Sequence, residues 1–231
     1  MDKDDIIGVE KNEERADDFD RMIYSDSCSV REPEVVYGRR SRKQGEYTAE
    51  DYFALPDGTR KELIHGVLYD MASPSFVHQK IAYLLVNLFN DYIEKRNGEC
   101  VATIAPCDVE IENDGDCMIF QPDVLIVCDR DKIRDRNIVC GAPDFVVEIL
   151  SPSTKIKDRT IKLREYRKAG VRECWLIDPE RKEVEVYVFR DPDMATLPKV
   201  YGFEDTIPVG IFGGECVVDF ANIYRRIRNL Y

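Results

Sequence analysis

Glu148 is an acid set inside the most apolar stretch of the chain, residues 145–150 (FVVEIL). A carboxylate buried in a strand is costly unless it is paired with a cation or binds a metal. Two readings therefore stand side by side, a structural ion pair and a metal ligand. Asp123 has the same character, since it follows Pro122 and opens a second apolar stretch, residues 124–127 (VLIV). Neighbouring strands lie about 4.8 Å apart, so carboxylates on two such strands can share one hard cation such as Mg²⁺. Asp144 also follows a proline, Pro143. Its distance from Glu148 along a strand is roughly 13 Å, too far for both to hold one ion. Spacing selects Asp123 as the partner of Glu148 and makes Asp144 a strand-entry residue.

The elements that position these acids follow from the pattern. Both stretches are nearly continuous in apolar residues, as expected of strands covered on both faces. A third run, residues 173–178 (ECWLID), lies beyond a helix expected from about Lys157 to Lys168 and closed by Gly170. A strand–helix–strand unit of this kind needs a crossover, which predicts parallel strands at 145–150 and 173–178. Asp158, Lys162 and Tyr166 fall at i, i+4 and i+8 on one face of that helix. Upstream, Val77, Ile81, Leu84, Leu85, Leu88, Phe89 and Tyr92 follow helical spacing and predict a helix over about 75–96. Strands are expected at about 99–104 and 107–112, with a turn at 113–116. Thr48 with Asp51 makes a capping-box variant that opens a short helix, and residues 61–64 and 67–71 read as a strand pair turning at His65 and Gly66. Downstream come a half-exposed strand at 182–190, a strand-and-loop region, and a closing helix at about 220–227. The whole is an α/β fold. Residues 1–45 read as a charged tail and 46–231 as a single domain.

Bulk properties set limits on function. The 231 residues carry a formal net charge of -12, which argues against a phosphate-bearing partner. The charge is uneven, however. Residues 2–20 hold nine acids against three bases, while residues 155–172 hold eight bases against two acids. The local field is thus the better guide. The basic run at 39–43 reads as a solvated linker. None of the eight cysteines stands in a C-x-x-C pair, which argues against a zinc knuckle. They are expected to be reduced, mostly buried thiols of a cytoplasmic protein. No signal sequence and no membrane span is expected. There are two histidines, neither in a nucleophile motif, so a metal-free Ser–His–Asp hydrolase is a weak reading.

Several segments together resemble the Uma family of restriction-endonuclease-like proteins, which is assigned to the PD-(D/E)xK nuclease superfamily. They are 121–127 (QPDVLIV), 143–154 (PDFVVEILSPST), 47–58 (YTAEDYFALPDG), 62–69 (ELIHGVLY), 78–81 (HQKI) and 173–179 (ECWLIDP), with Asp158, Lys162, Tyr166, Gly170 and Val171 in register before the last. The likeness covers about 47–190. It implies a restriction-endonuclease-like αβββαβ core with a mixed central sheet and added N- and C-terminal strands. It also implies that Asp123, Glu148 and the Ile149 carbonyl ligate Mg²⁺ (or Mn²⁺). One position departs from the superfamily's E-x-K motif, because Leu150 stands where the lysine belongs. Lys162, on the helix after the Glu148 strand, is the candidate replacement. Without the resemblance it would read as an ordinary exposed lysine. Glu62 and His78 are further candidates, Glu62 as a third carboxylate or the partner of a base, His78 as an acid–base group, a phosphate contact or a helix cap. The implied function is metal-dependent endonucleolytic hydrolysis of DNA, with the basic segment 155–172 holding the backbone and a homodimer expected by analogy. The alternative is a catalytically silent nuclease-like fold that binds nucleic acid or a protein partner, favoured by Leu150 and the acidic net charge.

Overall fold

The computed structural model describes residues 42–134, 138–189 and 196–230. The expected tail lies outside them except at its end, where Gln44 and Gly45 hydrogen-bond to the first hairpin. Thr48 opens α1 (Ala49–Phe53) with both halves of the capping box formed. Its N–H donates to the Asp51 carboxylate at 2.8 Å. β1 (Lys61–Ile64) and β2 (Val67–Asp70) pair antiparallel, turning through His65 and Gly66, both at positive φ. Gly66 has a second reason to be glycine. Its carbonyl accepts the Gly45 and Tyr47 N–H groups, and a Cβ there would stand 2.5 Å from the Gly45 oxygen.

Ser75 caps α2 (Phe76–Lys95), which buries Val77, Ile81, Leu85, Phe89 and Ile93 along one stripe. β3 (Val101–Ile104) leads into the hairpin of β4 (Asp108–Asn113) and β5 (Asp116–Phe120). Then come β6 (Val124–Val127), the short β7 (Ile133–Arg134) and β8 (Ile138–Cys140), and β9 (Phe145–Ile149). The crossover consists of α3 (Lys155–Lys157), a π-helical turn (Asp158–Lys162) and α4 (Leu163–Ala169), ended by Gly170 at φ 93°. β10 (Glu173–Asp178), β11 (Glu183–Val188), β12 (Lys199–Gly202), β13 (Thr206–Pro208), β14 (Val217–Asp219) and α5 (Phe220–Ile227) complete the domain.

The central sheet has the order β12-β11-β10-β9-β6-β3. β9 and β10 are parallel, as the crossover requires, and β6 and β3 add antiparallel on the other side. Elements α2, β3, β6, β9, the crossover and β10 make the αβββαβ core. A second six-stranded sheet, β2-β1-β5-β4-β8-β7, takes up the N-terminal hairpin. The sequence pattern left β5, β7 and β8 unassigned.

Strand alternation fixes what each face can hold. Phe145, Val147 and Ile149 enter one core with α2 and α5. Val146 and Leu150 enter another with Ile64, Met118, Phe120 and Tyr166. Glu148 shares their parity, so it faces the layer formed by β1, β5 and the crossover helix.

One expectation about the cysteines is corrected. Cys100 and Cys128 form a disulfide, because Val101 pairs with Val127 and the residues just outside that pair meet. Cys107, Cys117, Cys140, Cys174 and Cys216 are free thiols, and Cys28 lies outside the described residues. Among those residues, no helix is long and apolar enough to cross a membrane.

Candidate active site

The antiparallel register of β6 and β9 sets Val124 opposite Val147, so the next pair outward is Asp123 opposite Glu148. Asp123 Oδ2 accepts the Ile149 N–H at 2.7 Å and lies 3.1 Å from His78 Nε2 on the first turn of α2. Glu148 Oε1 accepts the Tyr166 hydroxyl at 2.6 Å and meets Lys162 Nζ at 2.7 Å. Lys162 Nζ also lies 2.8 Å from Glu62 Oε1 and 3.7 Å from Asp158 Oδ1. The other oxygen of Glu62 meets Lys157 Nζ at 2.5 Å, and its Oε1 accepts the Gln121 N–H at 3.1 Å. Glu62, His78, Asp123, Glu148 and Lys162 thus line one cavity of about 490 Å³, to which Ile149 also contributes.

Burial decides the status of Lys162. It is 2% exposed, Glu148 is 3% and Glu62 is 1%, so the lysine is no surface residue. Asp158 and Lys162, at i and i+4 across a π-helical turn, both face inward. Burial opposes the Lys162 charge, but Glu148, Glu62 and Asp158 outweigh it and hold the ammonium well above the usual lysine range. Burial pushes the Glu148 carboxyl well above the carboxylate range. Lys162 pulls it back, while Asp158, Asp123 and Glu62 push it further. Glu62 feels the same burial, yet Lys162 and Lys157 bring it below its usual value. Burial and the nearby Glu148 raise the Tyr166 phenol, which stays a donor.

Four carboxylates, Glu62, Asp123, Glu148 and Asp158, here meet two ammonium groups, leaving an excess of negative charge. Among the described residues no three His, Cys, Asp or Glu converge tightly enough to hold an ion by themselves. The donor set instead fits a hard cation that takes two carboxylates and completes its shell with backbone oxygen and water, as Mg²⁺ does. Three buried polar atoms on the cavity wall, Arg60 Nε, His78 Nδ1 and Gln121 Oε1, have no hydrogen-bond partner among the described residues, as expected of a wall that offers polar groups to a ligand.

The basic segment expected to hold a DNA backbone spans 155–172. Its charges are largely matched within the domain: Lys157 by Glu62, Arg159 by Glu185 and Asp178, Arg164 by Glu165, Lys168 by Asp114 and Arg172 by Asp144. These pairs tie the crossover to both sheets. Asp144 is a strand-entry residue, accepting the Cys128 N–H at 2.8 Å while its other oxygen meets Arg172. Sequence reasoning gave no role to Lys157, Tyr166 or Gln121. The available signal was Glu62, a carboxylate in an apolar strand that needs a counter-ion.

A central αβββαβ sheet with acids at one paired position, faced by a lysine from the crossover helix, belongs to the restriction-endonuclease-like class of folds. The chain belongs to the Uma2 family, described as "Putative restriction endonuclease", whose model matches residues 49–214. It is similar to an uncharacterized protein of Synechocystis sp., 29% identical over 180 residues, covering 76% of this chain and 90% of that one. It is also similar to a crystal structure described as "a putative nuclease belonging to DUF820" from Anabaena variabilis, with a TM-score of 0.62 and 25% identity, covering 77% of this chain and 97% of the other.

Proposed function

We propose that the protein is a Mg²⁺- or Mn²⁺-dependent endonuclease that hydrolyses DNA phosphodiester bonds in this cavity, with Asp123, Glu148 and the Ile149 carbonyl as ligands. One observation carries the reading: the Lys162 ammonium, buried, stands 2.7 Å from Glu148. The class needs a cation beside its paired acids, and Leu150 cannot provide it. The crossover helix brings one to the same carboxylate. Family membership and the neighbour described as "a putative nuclease" support the substrate class.

A bound ion would supply Lewis acidity at the scissile phosphate. Lys162 would orient the attacking water and offset charge developing on the phosphate. Glu62, itself held by Lys157, keeps the ammonium in place. Tyr166 fixes the Glu148 carboxylate, and His78 fixes that of Asp123 through Nε2, the kind of support that tunes a metal site. Cutting both strands would call for two such cavities and hence a homodimer.

The test is cleavage of supercoiled plasmid in Mg²⁺ or Mn²⁺, with Glu148→Ala alongside. Nicking by the native protein, lost in the variant and in chelator, is expected. Equal cleavage by both proteins would remove the assigned site. A second reading, a silent nuclease-like fold that binds nucleic acid or protein, draws on one observation: Lys162 is held by three carboxylates with no tight three-ligand cluster beside it. Calorimetric titration with Mn²⁺ separates the two, since absence of binding favours the silent fold.

A further inference from the structure

Three long cationic side chains line the cavity: Arg60, Lys157 and Lys162. Both lysines are held by Glu62. Arg60 differs. It makes no ion pair and no side-chain hydrogen bond among the described residues, and its Nε is buried without a partner. A buried guanidinium N–H with no acceptor is unfavourable unless something arrives to accept it. Yet the cavity is rich in carboxylates, and Arg60 pairs with none of them. Its backbone is fixed, since its carbonyl accepts the Met71 N–H at 3.1 Å and so extends the β1–β2 ladder. His78 Nδ1 and Gln121 Oε1, also buried without partners, lie on the same wall.

We propose that Arg60 is a phosphate grip: its guanidinium takes the non-bridging oxygens of a nucleic-acid backbone phosphate entering the cavity beside the Asp123–Glu148 pair. This inference rests on the nuclease reading above and adds to it the group that admits an anion into an acidic site. Arginine suits the task. Its planar fork binds two phosphate oxygens at once, and its charge does not titrate in the working range. The lysines cannot serve in its place without breaking their pairs with Glu62. The cavity volume, about 490 Å³, is within the range of small-ligand sites.

Arginine-specific labelling of the native protein with phenylglyoxal, read by peptide mass spectrometry, tests the inference directly. Arg60 should be labelled in chloride and protected by inorganic phosphate or by a short DNA duplex at equal ionic strength. In Ca²⁺, Arg60→Gln should bind the duplex about tenfold more weakly. Its slope of log affinity against log salt should be shallower by about 0.9, one phosphate contact. Arg60→Lys should restore the slope, which a merely structural role would not. Absence of protection, together with an unchanged slope in Arg60→Gln, would overturn the proposal. Cleavage of DNA with Arg60 unprotected would remove the grip and leave the nuclease reading intact. Protection by phosphate without any DNA cleavage would leave the anion subsite standing and remove the nuclease reading.

Discussion

Replacing Lys162 by methionine keeps most of the side chain's length and apolar stem and deletes its charge. The structure says what is left behind. Glu62 retains Lys157 at 2.5 Å and stays compensated. Glu148 and Asp158, each 3% exposed, lose the ammonium that meets them at 2.7 and 3.7 Å. Breaking a buried pair from one side costs about 3–5 kcal/mol, which for a domain of this size lowers the melting temperature by roughly 10 °C or more. The loss should depend on pH, with a definite sign. Burial, Asp158, Asp123 and Glu62 all push the Glu148 pKa up, and Lys162 is what pulls it down. In Lys162→Met the folded-state pKa of Glu148 therefore rises further above its unfolded value. An acid with a raised folded pKa binds more protons when folded, so its penalty is full above that pKa and fades as pH falls toward the unfolded value. The deficit of the variant should therefore be smaller at pH 5.5 than at pH 8, changing by at most about 1.4 kcal/mol per pH unit. Adding Glu148→Gln should recover part of it at pH 8. Urea denaturation of the two single variants and the double variant at both pH values measures all of this. A Lys162→Met deficit below about 1 kcal/mol, with no coupling to Glu148→Gln, would refute the buried bridge.

Two more outcomes follow from the same geometry. Asp123→Asn keeps an oxygen to accept the Ile149 N–H but removes the charge, so the variant should fold normally and bind Mn²⁺ at least tenfold more weakly by calorimetry; an unchanged affinity would show that Asp123 is no ligand. Gly66→Ala should cost about 2 kcal/mol in urea denaturation, because φ is +70° and the new Cβ would meet the Gly45 backbone at 2.5 Å. Gly115→Ala, with φ +78° and open space around it, should cost only about 1 kcal/mol.

The core of the fold was legible because its signals are local. The capping box at Thr48, the apolar stripe of α2, and the apolar strands flanking a Gly170-terminated helix each carry their own pattern. The second sheet was not, since β7 has two residues and β8 three, too few for any periodicity, and β5 runs directly into the 121–127 motif. The same limit applies to charge. Eight bases in 155–172 read as a basic face because sequence shows a helix its own residues only. Their partners Glu62, Asp114, Asp144, Asp178 and Glu185 come from five other places in the chain.

The position of the lysine follows from the same parity that places Glu148. A lysine at 150 would share a face with Glu148 on β9, next to it. Leu150 fills that position with apolar bulk and is 6% exposed, in the core that also holds Tyr166 and Phe120. The cation must then come from whatever packs over that face, and a right-handed crossover leaving β9 for parallel β10 lays its helix there. Asp158 and Lys162, four residues apart on that helix, both turn inward, and α4 then delivers the Tyr166 hydroxyl to the same Glu148 oxygen at 2.6 Å. Moving the lysine from strand to helix thus goes with a buried acid on the facing hairpin to steady the ammonium, and a second cation, Lys157, to neutralise that acid. Both are present, and Lys157→Met should cost less stability than Lys162→Met because Glu62 would still hold Lys162 at 2.8 Å.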